Sequence, residues 1–172
     1  MKKKGLLGLV AMLILVTGCS SNIKDGVSYL EEGKYEEAIV AFEAELAEEK
    51  NQGEAHHGLV LANYEVGDFV EALEHLEAAL AQGVEETVAL HHIAATCYMQ
   101  NGEYEIAIMH YDKALEMEDC TDAERKEMMF NRIVAYEKNG DWEGAKSAAD
   151  KYLNLYPDDE QVKKEMEFLE TR

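Results

Sequence analysis

Four glycines divide this chain at nearly equal intervals. Gly33, Gly67, Gly102 and Gly140 lie 34, 35 and 38 residues apart. Two residues after each comes an aromatic: Tyr35, Phe69, Tyr104 and Trp142. Five after each is an alanine (Ala38, Ala72, Ala107, Ala145), and thirteen after is a leucine (Leu46, Leu80, Leu115, Leu153). Four before, three of the four positions are tyrosine (Tyr29, Tyr98, Tyr136), with Asn63 as the exception. A period of this length marks one supersecondary unit used several times. Glycine takes a positive φ and ends a helix tightly, while apolar residues recurring every three to four positions mark amphipathic helices. Each unit therefore reads as two antiparallel helices. A lone hairpin cannot bury its own apolar faces, so neighbouring units must stack.

Composition agrees with an all-α chain. There is one proline in 172 residues, and 47% of the residues are apolar, enough for a core. With 16 Lys+Arg against 36 Asp+Glu the net charge is −20, the wrong sign for nucleic acid. Three cysteines are too few for a disulfide scaffold. Cys97 reads as a small core residue and Cys120 as a loop thiol, and helical placement argues against a bridge between them.

The runs YLEEGKYEEAIVAFEAEL, NYEVGDFVEALEHLEAAL, YMQNGEYEIAIMHYDKAL and YEKNGDWEGAKSAADKYL resemble tetratricopeptide repeats. The resemblance covers nearly all of residues 20–157. It implies an all-α superhelical solenoid of about four helix hairpins, with units near 20–51, 52–86, 87–120 and 126–157. The marker aromatics and alanines, Trp142 included, are then packing residues. There are departures. Unit 1 has a short first helix, and unit 4 carries Lys146 and Ala149 where Ile and an aromatic are usual. An insertion around Cys120–Lys126 is expected to loosen the join before unit 4. Residues 158–172 form a final amphipathic helix entered at Pro157, whose Met166 and Leu169 can cap the open end of the stack.

The first 21 residues, MKKKGLLGLVAMLILVTGCSS, are an address. Lys2, Lys3 and Lys4 precede a 12-residue uncharged run, Gly5 to Val16, too short to span a bilayer and suited to a signal peptide. Val16-Thr17-Gly18-Cys19 resembles the lipobox of bacterial lipoproteins. That resemblance implies cleavage after residue 18, diacylglycerol on the Cys19 thiol, and a lipid-anchored domain on the extracytoplasmic face of the cell membrane. Loss of residues 1–18 removes three lysines and no acid. The mature chain would then hold 13 basic and 36 acidic residues, a net −23.

Function is expected on the first helices of the units, which line the inner face of a stacked strip. Ten residues before each turn glycine stand Ile23, His57, His92 and Phe130. Six before stand Val27, Leu61, Thr96 and Val134, and three before stand Leu30, Tyr64, Met99 and Glu137. These offsets share one helical face. In tetratricopeptide repeats the matching positions line a concave groove, so these twelve residues are the expected contact surface for a peptide or protein segment with apolar anchors and basic groups. The Lys and Asn of carboxylate-clamp repeats are absent here, where His57, His92, Leu61 and Thr96 stand instead. The partner is expected to be an envelope or membrane-proximal protein.

His56-His57 and His91-His92 occupy equivalent places in adjacent units, which raises the alternative of a metal or small-solute binding lipoprotein. Adjacent residues diverge by about 100° on a helix, so only His57 and His92 would face one another, and two ligands make a weak site. No metal and no cofactor is therefore expected. His75 and His110 read as outward residues without a role. No phosphate loop, His-Glu-x-x-His helix or nucleophile elbow occurs, so no enzyme activity is expected.

Overall fold

The computed structural model describes residues 21–172, so the leader and Cys19 lie outside the described residues. The described residues form helices and no strand. In chain order they are α1 (Ser21–Glu31), α2 (Tyr35–Ala47), α3 (Gln52–Val66), α4 (Phe69–Ala81), α5 (Val88–Asn101), α6 (Tyr104–Glu116), α7 (Asp122–Lys138), α8 (Trp142–Leu155) and α9 (Glu160–Leu169). They gather into two compact units, divided after Glu86. The first holds α1–α4 and the second α5–α9.

Every hairpin turns on the same device. The glycines at 33, 67, 102 and 140 have φ of 73°, 90°, 79° and 75°. The amide after each glycine donates back to the carbonyl four residues before it: Lys34 to Tyr29 (2.8 Å), Asp68 to Asn63 (2.8 Å), Glu103 to Tyr98 (2.9 Å) and Asp141 to Tyr136 (3.0 Å). This closure satisfies the orphan carbonyls of the ending helix and sends the chain back antiparallel. The alanines five residues later are all buried. With no side chain beyond Cβ, they let the paired backbones come close.

In the first unit, one aromatic organises three helices. Phe42 of α2 lies against Gly26 of α1 and Gly58 of α3. A Cβ added to either glycine would stand 2.7 Å or 2.3 Å from the ring. α1 and α3 touch directly as well as through α2. Glu45, buried on α2, accepts from Asn51 Nδ2 at 2.7 Å, which ties α2 to the residue that opens α3.

The second unit has two packed clusters. Tyr111, Met128, Ala107 and Ala135 centre one, and Ile133, Ala149, Tyr152, Val162 and Leu169 the other. The insertion before the fourth pair is taken up at the entry to α7, which packs on α6. α7 starts at Asp122, and Thr121 with Glu124 form a reciprocal capping box at its N-terminus. Arg125 donates to the carbonyls of Leu115 (2.9 Å) and Cys120 (3.4 Å), bracing the loop from inside. The extra residues are absorbed as helix. Cys120 lies between helices as expected, but it is buried.

Asp159 seats α9. It caps the amides of Gln161 and Val162, accepts from Tyr152 Oη at 2.8 Å, and pairs with Lys126 at 3.0 Å. The bonds from Lys126 and Tyr152 hold its carboxyl down at about 2. Val162 and Leu169 are fully buried and Met166 packs beside them. At the far end the Arg172 guanidinium stacks over Phe168 (4.7 Å) and Trp142 (5.2 Å).

Two measurements probe this packing. Alanine normally stabilises a helix interior over glycine by about 1 kcal/mol. At Gly58 the Phe42 ring reverses that sign, so Gly58→Ala should cost about 1–3 kcal/mol in urea unfolding. A gain in stability would show that the ring is not wedged there. Glu137 of α7 is pushed up to about 7, first by burial and then by the neighbouring Glu165 carboxyl of α9. A raised pKa means the protonated form is favoured by folding. The contribution is complete below the ordinary value of 4.5 and disappears as pH rises through about 7. Glu137→Gln should therefore raise Tm at about pH 8 and change it little at about pH 5.

Candidate functional site

The structure places the twelve strip residues in two classes. Ile23, Leu30, His57 and Leu61 are buried, with 0%, 3%, 7% and 7% of their surface exposed. They are packing residues and not part of a solvent-facing surface, contrary to what their spacing predicts. The physical reason is the close approach of α1 and α3 around Phe42, which covers side chains on their facing sides. The other eight, Val27, Tyr64, His92, Thr96, Met99, Phe130, Val134 and Glu137, are half-buried.

In the first unit the accessible part is Val27 and Tyr64. The Tyr64 ring meets Phe69 edge-on at 6.2 Å, so its orientation is set by the following helix. In the second unit, Met99 packs partly on the Tyr111 cluster and Phe130 partly on the Tyr152 cluster. The Thr96 hydroxyl donates to the His92 carbonyl at 2.9 Å and so is committed to its own helix.

The two histidines expected to face a ligand are held neutral. Burial lowers the pKa of His57, and its Nε2 is buried without a hydrogen-bond partner. Burial also lowers that of His92, against the opposing pull of Glu127 and Glu124. The 3.9 Å contact from His92 Nε2 to Glu127 Oε1 is therefore not an ion pair near neutral pH. Cys97 is buried in α5, and burial pushes its thiol up to about 12, which makes it an inert core atom.

His75 and His110 do have partners. His75 Nδ1 lies 3.0 Å from His56 Nδ1, and His110 Nδ1 lies 3.0 Å from His91 Nδ1. Each pair joins the two helices of one hairpin. The signal was present in the chain: 56 to 75 and 91 to 110 are both 19 apart, and both members repeat after 35 residues. The partners sit on second helices, outside the first-helix face on which contacts are expected.

Two clefts lie away from the expected strip. One, of about 480 Å³, opens between α1 and α2 and is lined by Asn22, Asp25, Tyr29, Glu36, Glu37, Val40, Ala41 and Ala44. Its floor is apolar and its rim carries three carboxylates. The other, of about 570 Å³, surrounds the α8–α9 turn from Leu155 to Glu160 with Lys126. Among the described residues no helix is long and apolar enough to cross a membrane.

Comparison with known proteins agrees with this architecture. Two tetratricopeptide repeat models match, over residues 29–97 and 94–160. Among solved structures, MamA of strain AMB-1 superposes with a TM-score of 0.71 at 21% identity, over 87% of this chain and 79% of that one. A second crystal form of MamA gives 0.66 at 20% identity, covering 87% and 85%. PilF of Pseudomonas aeruginosa gives 0.61 at 23% identity, covering 87% of this chain and 66% of that one. No curated protein matches the chain. With its hairpins turned on left-handed glycines, its buried alanines, and two models of the family together spanning residues 29–160, the chain belongs to the tetratricopeptide repeat family.

Proposed function

We propose that the chain is a lipid-anchored interaction module on the extracytoplasmic face of a bacterial membrane, holding a peptide or protein segment against the first helices of its repeats. The tetratricopeptide fold itself suggests a protein-interaction role. The observation that carries the reading is that each unit, taken by itself, presents half-buried side chains on its first helices. These are Val27 and Tyr64 in one unit, and Thr96, Met99, Phe130 and Val134 in the other. Such residues can gain burial from a partner without the fold having to open. The acidic rim of the α1–α2 cleft and the net charge of −20 favour a partner with basic groups.

The anchor is proposed from the leader. Three lysines, a short apolar run and Thr17-Gly18-Cys19 stand in the order a lipobox requires. Two acyl chains hold a protein to a bilayer, which one chain does only weakly. Only Ser20 separates Cys19 from α1, so an anchored domain would ride close to the lipid and meet partners near the membrane. The acidic body adds nothing to anchoring, because anionic headgroups repel it.

Two experiments separate anchor from surface. Cys19→Ser should move the protein from the membrane fraction to the soluble one and abolish labelling by a fatty-acid analogue; unchanged fractionation refutes the anchor. For the surface, Val27→Asp with Met99→Asp should leave circular dichroism intact and remove crosslinks formed in the native membrane. Crosslinks that survive in this variant would rule out the first helices as the docking face.

A further inference from the structure

We propose that the imidazole pairs His56–His75 and His91–His110 are two equivalent sites for a divalent first-row transition-metal ion, with Cu²⁺ the best fit. The inference does not depend on the anchor or the partner argued above.

Geometry is the first support. Each pair brings two Nδ1 atoms to 3.0 Å across a helix hairpin. Two imidazole nitrogens bound at about 2.0–2.1 Å stand about 2.9 Å apart when cis on a square-planar ion, and about 3.3 Å apart on a tetrahedral one. The hydrogen-bonded spacing of 3.0 Å in the empty pairs is close to the bite that either geometry needs, and imidazole affinity along the first row is greatest for Cu²⁺. The ring centroids are 5.2 Å apart in both pairs, with the planes tilted by 37° and 49°. The two hairpins therefore build nearly the same arrangement.

Exposure and charge are the second support. His56, His75 and His110 are half-buried, and His91, with 5% of its surface exposed, is the most enclosed of the four. Glu43, Glu71 and Glu74 lie close enough to His75 to favour positive charge there. At the second pair, Tyr98 stacks on His110 at 5.4 Å and helps fix that ring.

Binding balances simply. In the empty pair one Nδ1–H donates to the other Nδ1. On ligation the donor ring shifts to its Nε2–H tautomer, both Nδ1 lone pairs face the ion, and no net proton is released. Among the described residues no group of three or more potential ligands converges, so two nitrogens come from the protein and water completes the coordination.

The test is titration of the full-length chain, kept in detergent, with Cu²⁺ alone, read by calorimetry and by electron paramagnetic resonance. The expected result is two equivalents per chain, each with hyperfine coupling to two equatorial nitrogens. His56→Gln with His91→Gln should remove both equivalents. His75→Gln with His110→Gln, on the opposite helices, should do the same. His57→Gln with His92→Gln should retain them, and circular dichroism should show all three variants folded. If neither paired set lowers Cu²⁺ binding, or if the His57/His92 variant loses as much as they do, the proposal is overturned.

Discussion

The left-handed glycine at the end of each first helix is the constraint on which the rest depends. At φ of 73° to 90° a side chain would crowd the backbone, and glycine takes this conformation without that penalty. Its neighbour's amide then closes back on the carbonyl of the residue four before it. The two helices of a pair come off this turn antiparallel and in fixed register. Fixed register is what sets the buried alanine opposite the partner helix each time, and what makes His56 meet His75 in the same way that His91 meets His110.

Within that frame, the units differ in how they use the space between helices. In the first, the missing Cβ atoms of Gly26 and Gly58 admit the Phe42 ring between α1, α2 and α3. Three helices thus share one side chain, and residues that sequence spacing assigns to a surface, Ile23, Leu30 and Leu61, are enclosed. In the second, two apolar clusters fill the space between helices, and a polar seat at Asp159 fixes the last helix. The ion pairs in these units are at least partly exposed on one side or both, so they add little to stability. The excess of carboxylates is a solvated exterior that matters for the charge of what can approach.

Much of the fold was legible beforehand because its determinants are local. The turn glycines, the alanines and the 3.6-residue apolar pattern each act within a few residues. The expected contact face was legible only in outline. A helical face can be counted from Tyr64, Met99 and Val134. Whether that face meets solvent depends on how closely the next helix lies, and Phe42 decides that from another helix. At the Cys120–Lys126 junction the helix start is itself a local matter: Thr121 with Glu124 forms the cap from which α7 runs. The histidine pairs fell between these cases: their repeat was visible in the numbering, yet contact between second and first helices needs the hairpin register.

By itself the sequence determined the helical class, the period, the turns, the acidic charge and the basic-apolar leader, since each follows from composition or from interactions spanning a few residues. Tertiary structure alone decided that four of the twelve expected contact residues are core and that two histidine pairs close at 3.0 Å. Burial and side-chain pairing depend on the distance between helices. That distance is set where remote side chains such as Phe42 and Gly58 fit together, and no local pattern encodes it.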